Sequence, residues 1–179
     1  THRPMNIRVE QQTYQWADPG AVDFIGYDYT VTNVGVADIT NVHCGMFGDF
    51  DINDAADDQA GSFRGLVEAS DGRFVPVTLA WMHDGATNQL GGWMGWVMCG
   101  LTTDAVAGGP ADPLAVRTFQ HMRGNAAFAQ GGDPTNDAER YQLLSETPDY
   151  WDVDTFIPDD YRVLLSSEEI PALAPGESL

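Results

Sequence analysis

Apolar and polar residues alternate along most of this chain with a period of two, which predicts strands that bury one face. From Asp23 to Asn33 the alternation is clean. Ile25, Tyr27, Tyr29 and Val31 fall on one side, Gly26, Asp28, Thr30 and Thr32 on the other. Residues 5–16 repeat the pattern, with Met5, Ile7 and Val9 set against Asn6, Arg8 and Glu10, and Asp18-Pro19-Gly20 supplies a turn. A third stretch runs from about Ile39 to Ile52. Val42, Cys44, Met46, Phe50 and Ile52 share one parity, and His43, Gly45, Phe47, Asp49 and Asp51 the other.

Further on, residues 62–68 and 73–82 read as a hairpin around the Asp-Gly turn at Ala69–Gly72. Residues 92–101 are apolar at both parities, which predicts a central strand covered on both faces. Tyr161–Leu165 is a late strand, and Leu173–Leu179 is a turn leading into another. One helix is expected over 136–145. Asn136 would cap it, Glu139 would take the capping-box position, and Ala138, Tyr141 and Leu144 form its apolar stripe. Between about 102 and 135 the chain is rich in Gly, Ala, Asp and Pro and too long for an ordinary connection, so a long irregular loop is expected, with a short strand or turn near Ala115–Met122. The pattern describes a single mainly β domain over residues 1–179, an antiparallel sandwich of jelly-roll or immunoglobulin-like type.

Charge narrows the choice of partners. The 179 residues carry a formal charge of −19, and all eight basic residues are arginine. Nucleic acid binding requires a positive footprint, so it is disfavoured, and an anionic membrane surface is disfavoured for the same reason. No apolar run approaches a membrane span, and insertion is not expected. The chain starts at Thr1 rather than Met, which reads as a processed chain or a piece of a longer one.

The densest chemistry lies in Gly48–Asp58, where five aspartates and one asparagine crowd together with no basic residue in the segment. Carboxylates so close repel unless a cation neutralises them, and calcium takes six to eight oxygens from a flexible loop. Asp49, Asp51, Asn53, Asp54, Asp57 and Asp58 are therefore candidate ligands for calcium. The segment opens like an EF-hand loop but has Asp54 where that loop has glycine and Ala60 where it has glutamate, so it is not one. Cys44 and Cys99 each lie in an apolar strand segment. A disulfide between them is expected, adding about 4 kcal/mol by loop closure and implying an oxidising compartment. Trp16 and Trp151 stand beside Asp-rich loops and are candidates for stacking on sugar rings. The four histidines show no metal-binding spacing, and no nucleophile elbow, P-loop or dinucleotide fingerprint occurs. An enzyme is not expected.

The order of these pieces resembles an uncharacterised β-sandwich domain of bacterial secreted and surface proteins. The similarity is carried by the strand Asp23–Asn33, the Asp-x-Asp strand end Gly48–Ile52, the short helix around Asp137–Tyr141 and the closing turn Leu173–Ser178. It implies an extracellular or cell-surface sandwich and offers no reaction. Domains of that kind continue past the closing turn with a last strand. A neighbour's residues 1–15 would supply such a strand by exchange, making the chain a filament subunit; otherwise its partners are neighbouring domains of a parent chain. The expected function is structural or adhesive, with glycan binding or service to a secreted hydrolase as alternatives.

Overall fold

Half-buried alternating segments become stable only when their backbone groups pair and their apolar faces meet. The computed structural model describes residues 4–85, 92–98, 116–146, 155 and 157–179. The described residues are mainly β, with antiparallel sheets and one α-helix. The described residues fall into two compact units.

The first unit holds the residues up to Val42 together with Ile170–Leu179. Strands β1 (Ile7–Gln15) and β2 (Ile25–Asn33) form a two-stranded ribbon, paired from Ile7 opposite Asn33 to Gln15 opposite Ile25. Strand β3 (Ile39–Val42) pairs with β10 (Ile170–Leu173). The expected turn follows β10, and the last residues return along β2: the Leu179 N–H donates to the Val31 carbonyl at 3.0 Å. Asn33 is fully buried and joins these pieces. Its side-chain amide donates to the carbonyls of Ala37 and Leu173 at 2.9 and 2.8 Å, and its Oδ1 accepts from the Gly35 N–H at 2.9 Å.

The described residues of the second unit form a sandwich of two antiparallel sheets, each of three strands. One contains β4 (Gly45–Gly48), β9 (Tyr161–Ser167) and β8 (Val116–Arg123), in that order. The other contains β5 (Asp58–Glu68), β6 (Phe74–Asp84) and β7 (Trp93–Val97). Ala60, Ala80 and Met82 from the second sheet meet Phe119, Tyr161, Val163 and Leu165 from the first, with Ile52 closing the core. Helix α1 (Asp137–Ser145) starts as expected at Asn136, whose side chain accepts from the Glu139 N–H at 3.0 Å. Glu139 reaches back one residue further than a capping box, accepting from the Thr135 N–H at 2.6 Å. At the other end the exposed carbonyls find donors, Gln120 to Leu143 and Ser166 to Leu144.

Two strand expectations change. The stretch from Ile39 to Ile52 is not continuous. Asn41 adopts a left-handed conformation (φ 54°) at the end of β3, and the chain turns a corner at His43-Cys44, where the Cys44 N–H donates to Ser167 Oγ at 3.0 Å. β3 and β4 therefore join different sheets. The segment 92–101 is not central either. β7 is an edge strand among the described residues, with Trp93, Met94 and Val97 exposed, and residues 99–101 lie outside them. The central covered strand is β9, hydrogen-bonded on both edges and buried at nearly every position. Replacing Leu165 by Ala should cost about 2–5 kcal/mol, whereas Leu66→Ala at the exposed end of β5 should cost about 0.5 kcal/mol or less. Urea denaturation of the two variants checks this.

Candidate metal centre

Chain geometry at the end of β4 decides where the acidic segment goes. Gly48 is buried, and a Cβ there would stand 2.3 Å from the Trp96 indole nitrogen and 2.8 Å from the Phe50 ring, so the backbone passes under both rings only as glycine. Phe50 and Ile52 then turn inward, Phe50 against Trp96 at 5.2 Å between ring centroids. Asp49 and Asp51 are left pointing outward. The strand has ended, but the alternation of sides persists.

The β4–β9 register pairs Gly48 with Val163, which brings Asp49 beside Arg162 and Asp160. One carboxylate oxygen each from Asp49, Asp51 and Asp160 lies within 4.8 Å of the others. Arg162 stands among them. Its Nε is 3.2 Å from Asp49 and 3.5 Å from Asp133, and its Nη1 is paired with Asp160. Gly124 makes room for this pair, because a Cβ there would overlap the guanidinium. One positive charge thus faces four carboxylates. Burial raises the Asp49 pKa in spite of Arg162, and the charges of Asp51, Asp160 and Asp133 push the same way. Asp133 Oδ1 is buried without a hydrogen-bond partner.

The rest of the segment serves the turn into β5. Asn53 takes a left-handed conformation (φ 66°), and Asp54 caps a 3-10 turn over Ala55–Asp57 by accepting from the Ala56 N–H at 3.1 Å. Asp58 opens β5 directly opposite Asp84 on β6, and both are buried. Like charges facing across a ladder oppose pairing. Asp58 is 1% exposed; its Oδ2 accepts from the Ile52 N–H at 3.3 Å, and its Oδ1 has no partner. Burial first, then the charges of Asp51, Asp57 and Asp84, push its pKa up to about 6. Asp57 is raised by burial and by Asp84 and Asp54.

Of the six candidate ligands, the fold gathers Asp49 and Asp51, buries Asp58 against the Ile52 N–H, and commits Asn53, Asp54 and Asp57 to the turn. Asp160, Asp133, Asp84 and Arg162 were not among the expected residues. The segment is not without a cation, because Arg162 arrives from a strand more than a hundred residues later. A lone arginine following Asp159-Asp160 inside an apolar strand was the available signal. The expected Cys44–Cys99 disulfide is also corrected. Cys44 is a free thiol, half-buried at the β3–β4 corner, where burial raises its pKa, and Cys99 lies outside the described residues. Trp16 is half-exposed and leans across Gly26, where a Cβ would stand 2.7 Å from its ring. Trp151 lies outside the described residues.

Comparison with known protein families, with curated proteins and with solved structures finds no match to this chain.

The buried Asp58 carboxylate yields a pH dependence. Its folded pKa lies above its unfolded value near 3.8. As pH falls from about 6 towards 4 the folded state takes up a proton that the unfolded state does not, so this group favours folding at acid pH and disfavours it at neutral pH. The shift corresponds to at most about 3 kcal/mol. Asp58→Asn keeps an acceptor for the Ile52 N–H. It should be more stable than the parent at pH 7 by up to that amount, with the difference vanishing near pH 4. Denaturation of both proteins across this range measures it.

Proposed function

We propose that the chain is a non-catalytic structural β-module that associates with a second copy of itself through the β1–β2 ribbon. The carrying observation is the face of the ribbon formed by Ile7, Val9, Gln11, Thr13 and Gln15 with Ile25, Tyr27, Tyr29, Val31 and Asn33. These residues alternate with the polar set and lie opposite one another in register. Val9, Ile25, Tyr27 and Tyr29 on this face are exposed. Among the described residues of this unit, the only buried apolar side chains are Leu173 and Leu179. An amphipathic sheet whose apolar face meets water is a docking surface.

Charge favours a second copy as the occupant. The ten residues of this face carry no ionisable charge at neutral pH, in a chain that carries 27 acidic residues. Two copies meeting here would desolvate tyrosine and aliphatic surface without burying carboxylates, and the same patch on both partners makes a closed pair. Strand exchange through residues 1–15 is a different route. Ile7–Gln15 already pairs along its length with β2, so the proposed contact uses the face of the ribbon. Acidity, the absence of lysine and the resemblance to bacterial surface domains support an extracellular or cell-surface setting.

Light scattering on the native protein tests this. We expect a particle heavier than 19.5 kDa, strengthened by salt as self-repulsion is screened, and reduced to a monomer by Tyr29→Glu with the fold retained. A wild-type monomer at high salt and high concentration would sink the reading.

A second reading, glycan binding, is favoured by one observation. The outward face of β6 and β7 carries Trp81, His83 and Trp93, with His83 and Trp93 centroids 4.3 Å apart and Trp93 66% exposed. Trp81 lies over Gly61, where a Cβ would stand 2.1 Å from the ring. On this reading the stacking residue is Trp93 rather than Trp16. If it binds sugars, soluble oligosaccharides should quench tryptophan emission in the parent and not in Trp93→Ala.

A further inference from the structure

Resting on the glycan reading, the chemistry of the outward face of β5–β7 narrows the class of sugar. We propose that this face binds an uncharged glycan, a disaccharide or longer, lying across the strands. One sugar ring stacks on the Trp93 indole, and hydroxyls donate to His83 Nε2 and Gln59 Oε1. On these strands the positions that alternate with the core residues are apolar, glycine, Gln59 or His83, and none is acidic. The chain as a whole carries −19, so polymers of uronic acids or sulfated sugars are repelled, while an uncharged one loses nothing by approaching.

The stacking ring is held ready. Trp93 rests against His83 and Trp81 at centroid separations of 4.3 and 5.1 Å and is 66% exposed, so one side of the indole is supported and the other open. Three atoms of the Trp81 ring stand within 2.6 Å of where a Cβ on Gly61 would be, so Trp81 lies flat across β5 and backs the cluster. A ring fixed by its neighbours loses little freedom on binding. Its electron-rich face suits the weakly positive C–H face of a sugar ring. An apolar protein surface would need only the rings; the open acceptors beside them suit the hydroxyls of a sugar. The cross-strand register sets Gln59 opposite His83 and His83 opposite Trp93, in one row across the sheet. The Asp84 carbonyl can only accept, so its 2.7 Å contact puts the proton of the neutral imidazole on Nδ1 and leaves His83 Nε2 an acceptor. Gln59 Nε2 donates to the Thr155 carbonyl at 2.8 Å, which orients the amide and leaves Oε1 an acceptor. His83 and Gln59 are both half-buried. Neighbouring strands lie about 4.8 Å apart, so Trp93 and Gln59 are about 10 Å apart, a span that linked sugar rings fill and a single ring does not.

The test is calorimetric and tryptophan-fluorescence titration with cellohexaose, N-acetylchitohexaose and mannohexaose as uncharged probes and hexagalacturonate as the anionic one. At least one uncharged probe should bind, and hexagalacturonate should not. Trp93→Ala should weaken binding by about tenfold or more, Trp93→Phe by less, and Trp16→Ala not at all. His83→Ala and Gln59→Ala should each weaken it by about two- to tenfold, with circular dichroism unchanged in every variant. Binding of hexagalacturonate as tight as that of the uncharged probes would overturn the proposed class while leaving the glycan reading in place. Uncharged binding that survives Trp93→Ala, or that is indifferent to both His83→Ala and Gln59→Ala, would overturn the site. No binding of any probe at millimolar concentration would sink the proposal and the glycan reading together. A native particle mass that falls in Trp93→Ala without sugar would assign the face to a second copy, against the proposal.

Discussion

Burial of the strand Tyr161–Ser167 is the constraint on which the sandwich unit depends. A strand covered on both faces has no water to satisfy its backbone, so both edges must be paired. β4 takes one edge and β8 the other, and Val163 and Leu165 reach the facing sheet. Even its polar residues are used: Ser166 caps the helix and Ser167 holds the corner at Cys44. The helix and the β3–β4 corner are placed by this strand as much as by their own sequences.

The same strand sets the electrostatics. Arg162 is its one basic residue, and the register brings carboxylates from the chain after β4 and from the loop before α1 to meet it. One guanidinium among four carboxylates is an incomplete neutralisation, and burial sharpens the deficit, as the raised pKa of Asp49 shows. Asp58 and Asp84 extend the deficit across the sandwich. Such an arrangement is stable only where other contacts outweigh its repulsion or where a cation is at hand.

The two units solve the burial problem differently. The sandwich unit places its large apolar residues between two sheets, whereas the unit holding β1, β2, β3 and β10 relies on main-chain pairing and the buried amide of Asn33. Apolar residues make up a similar share of it, but many lie on the face of a two-stranded ribbon. A lone ribbon of this length is marginal in water, and the uncovered face is where association would add most stability.

Sequence alone determined the elements whose signals are local. The period-two runs gave β1, β2 and the β5–β6 hairpin, Asn136 gave the start of the helix, and the Leu173–Ser178 turn stands where expected. It also drew attention to the acidic segment that supplies Asp49 and Asp51 to the carboxylate cluster, because crowded aspartates are conspicuous in any fold. Tertiary structure decided what depends on register and on neighbours. It broke Ile39–Ile52 at a corner, put the apolar residues of β7 on an edge, and left the face of Ile25, Tyr27 and Tyr29 open although its pattern is that of a buried strand. It replaced Asn53, Asp54 and Asp57 by Asp160 at the cluster and supplied Arg162 and Asp133. The reason is physical. Periodicity reports which residues share a side, but what covers that side, and which distant charge stands next to it, is fixed only when the strands pair.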